Sequence, residues 1–236
     1  MVSAGIKGGD GGFFLTNRWF VSKFYLPFVS RHFRKGSSLM KPVCKTSPPG
    51  RIKIMTSFST LMKTKDFQSI TIAEIAKNAG VTEGLIYKYF KDKKDLLYQV
   101  LYQHFAGFLS LVQDRTAAEN SCMEKLEAIV SASLESYNQN RVFARILLLE
   151  VRNSPAYFDS CAYAMVKKYS RLIREIVCDG IAKKELKPDT DPFLLQKVIL
   201  GAIEHTCLKQ VIFDRELDVP AASSGIINIV SYGVKK

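Results

Sequence analysis

The chain has 236 residues, of which 47% are hydrophobic and 24% are charged, and it contains only five cysteines and three histidines. This composition excludes collagen-like proteins, disulfide scaffolds and predominantly disordered chains, and the length suits one or two domains. The formal net charge of +12 indicates a polyanionic partner, either nucleic acid or a membrane surface.

The positive charge is concentrated near the N-terminus. Residues 1–54 contain ten Lys or Arg and one acid, residues 55–94 have a net charge of +3, and residues 95–236 are neutral. We therefore expect a basic binding module followed by a neutral, apolar module that binds no polyanion.

The cysteines are far apart and form no CxxC pair. Their spacing predicts neither a zinc site nor disulfides, which indicates a reduced, cytoplasmic setting. No run of 18 or more apolar residues is present, so we expect no helix that spans a membrane. We predict no metal, no cofactor and no membrane partner.

Residues 1–50 are predicted to be an N-terminal extension and linker. Residues 1–40 mix glycines, aromatics and bases without a helical or strand period, and they lack the uninterrupted apolar core of a signal peptide. We interpret them as a disordered tail or as translated upstream sequence, with Met40 as the start; the alternative is a basic, aromatic arm for a membrane or nucleic acid. Residues 41–50 contain three prolines and a glycine, which predicts a linker.

From about residue 53 the apolar spacing predicts helices, and no strand alternation appears, so we expect an all-α fold. The first helix has its apolar stripe at Ile54, Phe58, Leu61 and Met62. Thr71, followed three residues later by Glu74, predicts a capping box at the start of a two-turn helix that Gly80 ends. Thr82 caps a third helix and Asp92 a fourth. Further helices are expected at about 119–139, 141–152, 156–184, 192–213 and 220–232.

Residues 71–94 have the arrangement of a helix-turn-helix, in which two short helices are joined by a turn and the second enters the DNA major groove. With Ile86 and Phe90 buried, the outer or flanking positions of the second helix are Thr82, Glu83, Leu85, Tyr87 and Lys88. Gly84 would let the backbone approach a phosphate closely. Lys93 adds a cation near a helix N-terminus, where anions bind.

Residues 51–101 resemble the DNA-binding domain of TetR-type transcriptional regulators, and the sequence IAEIAKNAGVTEGLIYKYFKDKKDLL matches that family almost position by position. The resemblance implies a three-helix DNA-binding domain at 51–97 and a helical effector-binding and dimerisation domain at 98–236. It also implies phosphate contacts by Thr71, Thr82, Tyr87 and Lys93, and positions at or near base edges for Glu83, Gly84, Leu85, Lys88 and Tyr89.

Two departures from the family pattern are present. Asp66 stands where the family usually has glycine, although Asp tolerates left-handed geometry. Lys94 stands where the family often has an acid. Some of the implied contacts also have simpler interpretations: the two tyrosines as core aromatics, the lysines as a solvated face, and Glu83 as a residue that favours a helix N-terminus.

The neutral C-terminal part has room for a pocket and a dimer face. The resemblance implies both, with the last two helices pairing with those of a second chain as a four-helix bundle. The alternative is that the apolar residues of these helices are all internal core: Phe193, Leu194, Val198, Ile199, Ala202, Ile203, Leu208, Val211 and Ile212.

Effector-pocket candidates lie on the helices of this C-terminal part: His104, Phe105, Phe108, Tyr137, Phe143, Arg145, Leu147, Cys161, Met165, Tyr169 and His205. Such a cavity suits a hydrophobic small molecule. Arg145 and Arg152 could serve a phosphate-bearing ligand or form surface ion pairs, and we interpret the two histidines as core or pocket wall. The segments RILLLEVRNSP and LLQKVILGAIEHTCL are similar to those of TetR-type regulators of fatty-acid metabolism, which respond to long-chain acyl-CoA.

We therefore predict a ligand-responsive, DNA-binding transcriptional regulator. As a homodimeric repressor it would be released from palindromic operator DNA by a hydrophobic small molecule such as an acyl-CoA. The alternative is an effector-independent helix-turn-helix protein that acts through protein partners. The sequence has no Gly-rich phosphate loop, no nucleophile elbow and no paired His/Asp set, so we predict no catalytic residues and no enzyme.

Overall fold

The computed structural model describes residues 48–234, which fold into helices as predicted. The predictions for residues 1–47 lie outside the described residues. In chain order the α-helices are α1 (Pro49–Leu61), α2 (Ile72–Ala79), α3 (Glu83–Tyr89), α4 (Lys93–Ala117), α5 (Cys122–Gln139), α6 (Arg141–Arg145), α7 (Pro155–Phe158), α8 (Cys161–Ala182), α9 (Pro192–Phe213) and α10 (Val219–Val234).

Helix α1 begins at Pro49, earlier than the predicted residue 53. Proline suits the first turn of a helix, because that turn needs no backbone N–H and proline already has a helical φ. Residues 49 and 50, which were predicted to be linker, are therefore helical. The predicted stripe is inward, since Ile54 and Phe58 are fully buried.

The helices of the helix-turn-helix begin and end at the predicted residues, but the predicted capping box is only half formed, because the Glu74 carboxylate pairs with Lys65. The Thr71 hydroxyl accepts a hydrogen bond from the backbone N–H of Glu74 at 3.1 Å and starts α2. Gly80 ends this helix with a φ of 64°, a left-handed conformation that glycine adopts without strain. The Thr82 hydroxyl accepts from the backbone N–H of Leu85 at 3.3 Å and starts α3.

Two apolar cores hold the helices together. The first, here the N-terminal core, joins α1, α2, α3 and the first half of α4 to residues 146–151 and to α7. The second, here the C-terminal core, joins α5, α8, α9 and α10 to the second half of α4. The predicted domain boundary at residues 97 and 98 falls inside α4, so one continuous helix contributes to both cores.

The segment after α5 differs from the predicted helix 141–152. Helix α6 passes into a π-helical turn at Ile146–Glu150 and a 3-10 turn at Val151–Asn153. Such turns are uncommon inside helices and are frequent near functional sites.

The predicted helix 156–184 is also interrupted. The Ser160 hydroxyl accepts from the backbone N–H of Tyr163 at 3.2 Å and donates to the Tyr157 carbonyl at 2.6 Å, so that α7 ends and α8 begins.

Helix α9 has the predicted bounds. It starts where the Asp191 carboxylate accepts hydrogen bonds from the backbone N–H groups of Phe193 and Leu194. Within residues 48–234, no helix is long and apolar enough to cross a membrane.

Candidate DNA-binding surface and effector cavity

Helix α3 has one buried face and one exposed face. Ile86 is 1% exposed and anchors the helix in the N-terminal core. The next residue, Tyr87, is 57% exposed, although it is a large aromatic residue. The predicted contact residues that lie on the surface are Thr71, Thr82, Glu83, Gly84, Tyr87 and Lys88. An exposed aromatic side chain beside an exposed lysine suits contact with a nucleic acid.

Leu85 and Tyr89 are half-buried and pack against the start of α1. A Cβ atom on Gly50 would lie 3.2 Å from the Leu85 Cδ2 atom and 3.6 Å from the Tyr89 ring. These two predicted base-edge residues therefore also hold α3 against α1.

The Lys93 ammonium binds the loop before α2. The Nζ atom donates to the carbonyls of Phe67, Gln68 and Ile70 at 2.9, 3.2 and 2.6 Å, and it lies 4.6 Å from the centre of the Phe67 ring. Burial lowers the pKa of this ammonium below its ordinary value. A phosphate contact by Lys93, as the family resemblance implies, would compete with these bonds.

The loop before α2 accommodates Asp66 without left-handed geometry. Among the described residues other than glycine, only Lys184 and Asp214 have a positive φ. The Asp66 carbonyl accepts hydrogen bonds from the backbone N–H and the hydroxyl of Ser69, at 3.1 and 2.8 Å, and these bonds form the turn. Lys94, the second departure from the family pattern, is exposed.

A cavity with an empty volume of about 760 Å³, which includes space open to solvent, lies between α4, α5, α8 and α9. Seven of the predicted pocket residues line it: His104, Phe105, Phe108, Tyr137, Phe143, Leu147 and Tyr169. Its lining is mainly apolar and aromatic with a few polar side chains, which is typical of a small-molecule site.

Four predicted pocket residues lie elsewhere. Arg145 donates to the Val211 carbonyl at 3.5 Å, and His205 is exposed on α9. One helical position spans about 100°, so Ile203 and Glu204 can face the cavity while His205 faces away. Cys161 and Met165 are also absent from the lining.

Aromatic contacts shape one wall of the cavity. The His104 ring stacks on Phe143 with centroids 4.4 Å apart, and Phe108 meets the Tyr169 ring edge-on at 5.4 Å. Burial lowers the pKa of His104, which favours the neutral imidazole. The hydroxyls of Tyr169 and Ser133 share a hydrogen bond of 2.7 Å, and burial raises the tyrosine pKa.

Arg152 forms an ion pair, one of its two predicted interpretations, but the sequence indicated neither the partner nor the position of the pair in the cavity wall. Arg152 binds Glu204 through two hydrogen bonds, of 2.8 Å from Nη1 and 2.5 Å from Nη2. Burial alone would lower the pKa of Arg152, but the hydrogen bonds and charge of Glu204 raise it above its ordinary value. The only sequence signal was an acid in the middle of the very apolar helix α9. Ser133, Ser136 and Asn140 are further lining residues that were not predicted.

The last two helices expose several apolar side chains. Phe193 and Leu194 are both 59% exposed on α9, and Ile229 is 76% exposed on α10. The nine apolar residues considered for a dimer face divide into an exposed set, Phe193, Leu194, Val198 and Ile212, a buried set, Ile199, Ile203 and Val211, and the half-buried Ala202 and Leu208. The buried residues are therefore internal core, whereas the exposed ones remain available for a dimer face.

No group of three or more His, Cys, Asp or Glu side chains within residues 48–234 is arranged to hold a metal ion. The four cysteines of this part of the chain are free thiols. Burial raises the pKa of Cys122 to about 11 and that of Cys207 to about 12, so both stay protonated and unreactive near neutral pH.

Two family models match the chain. Residues 59–100 match the bacterial regulatory proteins of the tetR family, and residues 101–233 match the C-terminal region of the YsiA-like protein. The fatty acid metabolism regulator protein of Bacillus subtilis strain 168 is 25% identical over 190 residues, which cover 80% of this chain and 98% of that protein. The transcriptional repressor KstR2 of Mycolicibacterium smegmatis is 23% identical over 163 residues, covering 68% and 79% of the two chains.

Solved structures share the fold. The fatty acid degradation regulator FadR from Bacillus halodurans has a TM-score of 0.70 at 22% identity, and covers 79% of this chain and 96% of its own. FadR from Bacillus subtilis, in complex with stearoyl-CoA, has a TM-score of 0.69 at 24% identity, with coverages of 76% and 96%.

Proposed function

Since this chain belongs to the TetR family and is a DNA-binding transcriptional regulator, we propose that it is a homodimeric repressor of palindromic operators. A hydrophobic small molecule such as an acyl-CoA would release it from the DNA. Its relatives are transcriptional regulators rather than enzymes, and we assign no catalytic residue.

The observation that supports operator binding is the exposed face of α3. Glu83, Gly84 and Lys88 would lie at base edges, while the hydroxyls of Thr71, Thr82 and Tyr87 would contact phosphates. Leu85 and Tyr89 would touch the DNA only from the flank, because they also pack on α1. Lys93 would position the loop before α2, or contact a phosphate at the cost of its loop hydrogen bonds.

The exposed apolar side chains of α9 and α10 support the dimer. Large apolar residues that face water on two adjacent helices favour pairing with the same helices of a second copy. A two-fold dimer would present two α3 helices to two half-sites, which therefore repeat as a palindrome. Because its partner is DNA, we propose that the protein acts in the cytoplasm.

The cavity supports an acyl effector. It is apolar and aromatic, it lies between helices of the C-terminal core, and a protein of the same fold has been solved in complex with stearoyl-CoA. A ligand that binds one conformation about 150-fold more tightly than the other supplies roughly 3 kcal/mol, which is enough to reduce DNA affinity by the same factor.

Selection of bound fragments from a random DNA pool, followed by titration of the selected operator complex, tests this function. We expect a palindromic site, and we expect palmitoyl-CoA to release the protein while coenzyme A alone does not. Recovery of no preferred sequence would contradict operator binding. A selected operator that stays bound with palmitoyl-CoA and every other hydrophobic ligand would favour an effector-independent regulator that acts through protein partners.

A further inference from the structure

The charge of the cavity wall is confined to one ion pair. Arg152 and Glu204 are the only lining residues with charged side chains, since burial lowers the pKa of His104 and so favours its neutral imidazole. The two charges are joined by two hydrogen bonds, so the cavity has no net charge and no unpaired cation. Their side chains are 27% and 32% exposed, so the pair is reachable from the cavity.

The Tyr137 hydroxyl is a hydrogen-bond donor in the same cavity wall as this ion pair, without a partner among the described residues. It lines the same cavity and makes no hydrogen bond among residues 48–234, and the charges of both Glu204 and Arg152 act on it. A ligand carbonyl could accept a hydrogen bond from this hydroxyl and leave the ion pair intact.

A carboxylate head group meets a different environment. To reach the Arg152 guanidinium it must either displace Glu204 or bind beside it, and both alternatives leave an uncompensated negative charge in a largely apolar space. Burying an unpaired charge is far more costly than burying a neutral carbonyl that has one hydrogen bond.

From these contacts we infer that Glu204 determines the ligand specificity of the cavity. By neutralising Arg152, it excludes long-chain free carboxylates and leaves acyl compounds with an uncharged carbonyl, such as thioesters, esters and amides, as ligands. This inference rests on the proposed acyl effector. It assigns the discrimination to the cavity itself rather than to contacts with a nucleotide tail.

Two probes of equal chain length test the assignment. Palmitate and palmitamide differ only in the charge of the head group, and their dissociation constants are measured at about pH 7.5 by competition with a fluorescent fatty-acyl probe. We expect the protein to prefer palmitamide by about tenfold or more, as for a charge buried without a partner. In Glu204→Gln the freed Arg152 should bind palmitate at least as tightly as palmitamide.

Two controls separate this role from a general loss of structure. Glu135→Gln makes the same change in the Arg115–Glu135 ion pair, which lies outside the cavity lining, and should keep the wild-type preference. The double variant Arg152→Gln with Glu204→Gln removes the freed cation, and should lose the palmitate binding that the single variant gains.

A wild-type preference near one, or a preference that Glu204→Gln leaves unchanged, would overturn the assignment. If Glu204→Gln does not fold, as judged by circular dichroism, a wild-type preference near one still overturns the assignment. Failure of the proposed effector looks different: in that case neither palmitamide nor palmitoyl-CoA would bind the wild-type protein.

Discussion

Lys93 begins α4 and braces the loop between α1 and α2, because its ammonium donates to three loop carbonyls. Hydrogen bonds from a charged donor are stronger than neutral ones, and the ammonium also lies over the Phe67 ring. The placement of α2 therefore depends on a side chain that belongs to neither helix of the helix-turn-helix.

We expect Lys93→Met to lower the free energy of unfolding by about 1–2 kcal/mol, since the loop carbonyls lose their charged donor. Urea denaturation followed by circular dichroism measures the change. Lys91→Met is the matched control, because Lys91 is exposed and its side chain makes no hydrogen bond in the described part of the chain. If Lys93→Met kept its stability but flattened the salt dependence of DNA binding, a phosphate contact would be the better explanation.

Lys88 and Tyr87 are adjacent but should affect DNA binding differently. Lys88→Ala should change the preferred operator sequence, because a lysine at a base edge reads guanine, whereas Tyr87→Phe should weaken binding to all sequences alike through a lost phosphate contact. Sequence selection and fluorescence anisotropy measure the two effects. An unaltered preference in Lys88→Ala would refute its role at the bases.

His104 makes stability depend on pH. Burial lowers its pKa in the folded state, so the unfolded chain takes up this proton first as the pH falls. The contribution of the neutral imidazole is complete above about pH 6.5, the ordinary histidine value, and is lost as the pH falls below it. We expect His104→Gln to lose less stability than the wild type between about pH 7.5 and pH 5.5 in urea denaturation. His205→Gln, at an exposed histidine, should behave like the wild type.

Among the elements, α9 and α10 carry the proposed dimer face. Ile229→Asp places a charge at a position that is 76% exposed in the single chain and would be buried in the four-helix bundle. We expect the dimer dissociation constant to rise about tenfold or more, as measured by sedimentation equilibrium. Leu111→Asp, at an exposed leucine on α4, is the control and should leave the dimer intact. Equal association of both variants would place the interface elsewhere.

Helix ends with a local cause could be predicted from the sequence. Gly80, Thr82 and Asp191 act through their own backbone conformation or side chain, and the ends of α2, α3 and α9 follow from them. The π-helical turn at Ile146–Glu150 could not be predicted, because its geometry depends on packing in both cores at once. A full capping box at Ser121 and Glu124 also starts α5 slightly later than the expected residue 119.

The site also has features that could be predicted from the sequence and features that could not. The exposed positions of α3 follow from helical spacing around Ile86, and the aromatic lining follows from composition on α4, α5 and α8. The pairing of Arg152 with Glu204 joins residues 52 positions apart and depends on how α9 rotates against the 3-10 turn. The same rotation places His205 outside the cavity. The residue spacing within a single helix cannot predict how that helix rotates against its neighbours.

For the whole molecule, the cavity and the DNA-binding helices should be separable by one substitution. Val166→Trp fills part of the cavity from α8 without touching α1, α2 or α3. We expect operator affinity to be kept and release by palmitoyl-CoA to be lost, because the ligand no longer fits. Val166→Ala, which leaves the space open, should still respond. Normal release of Val166→Trp would show that the effector binds at another place.

Leu147 belongs both to the wall of the cavity and to the N-terminal core that holds α1, α2 and α3. A ligand that weakens operator binding through such shared packing must itself be bound less tightly by the operator complex, and by the same factor. The ligand concentration at which the regulator responds is then not a constant of the protein alone. Strong operators would switch at higher ligand levels than weak ones, so that genes under one regulator would respond in a graded order.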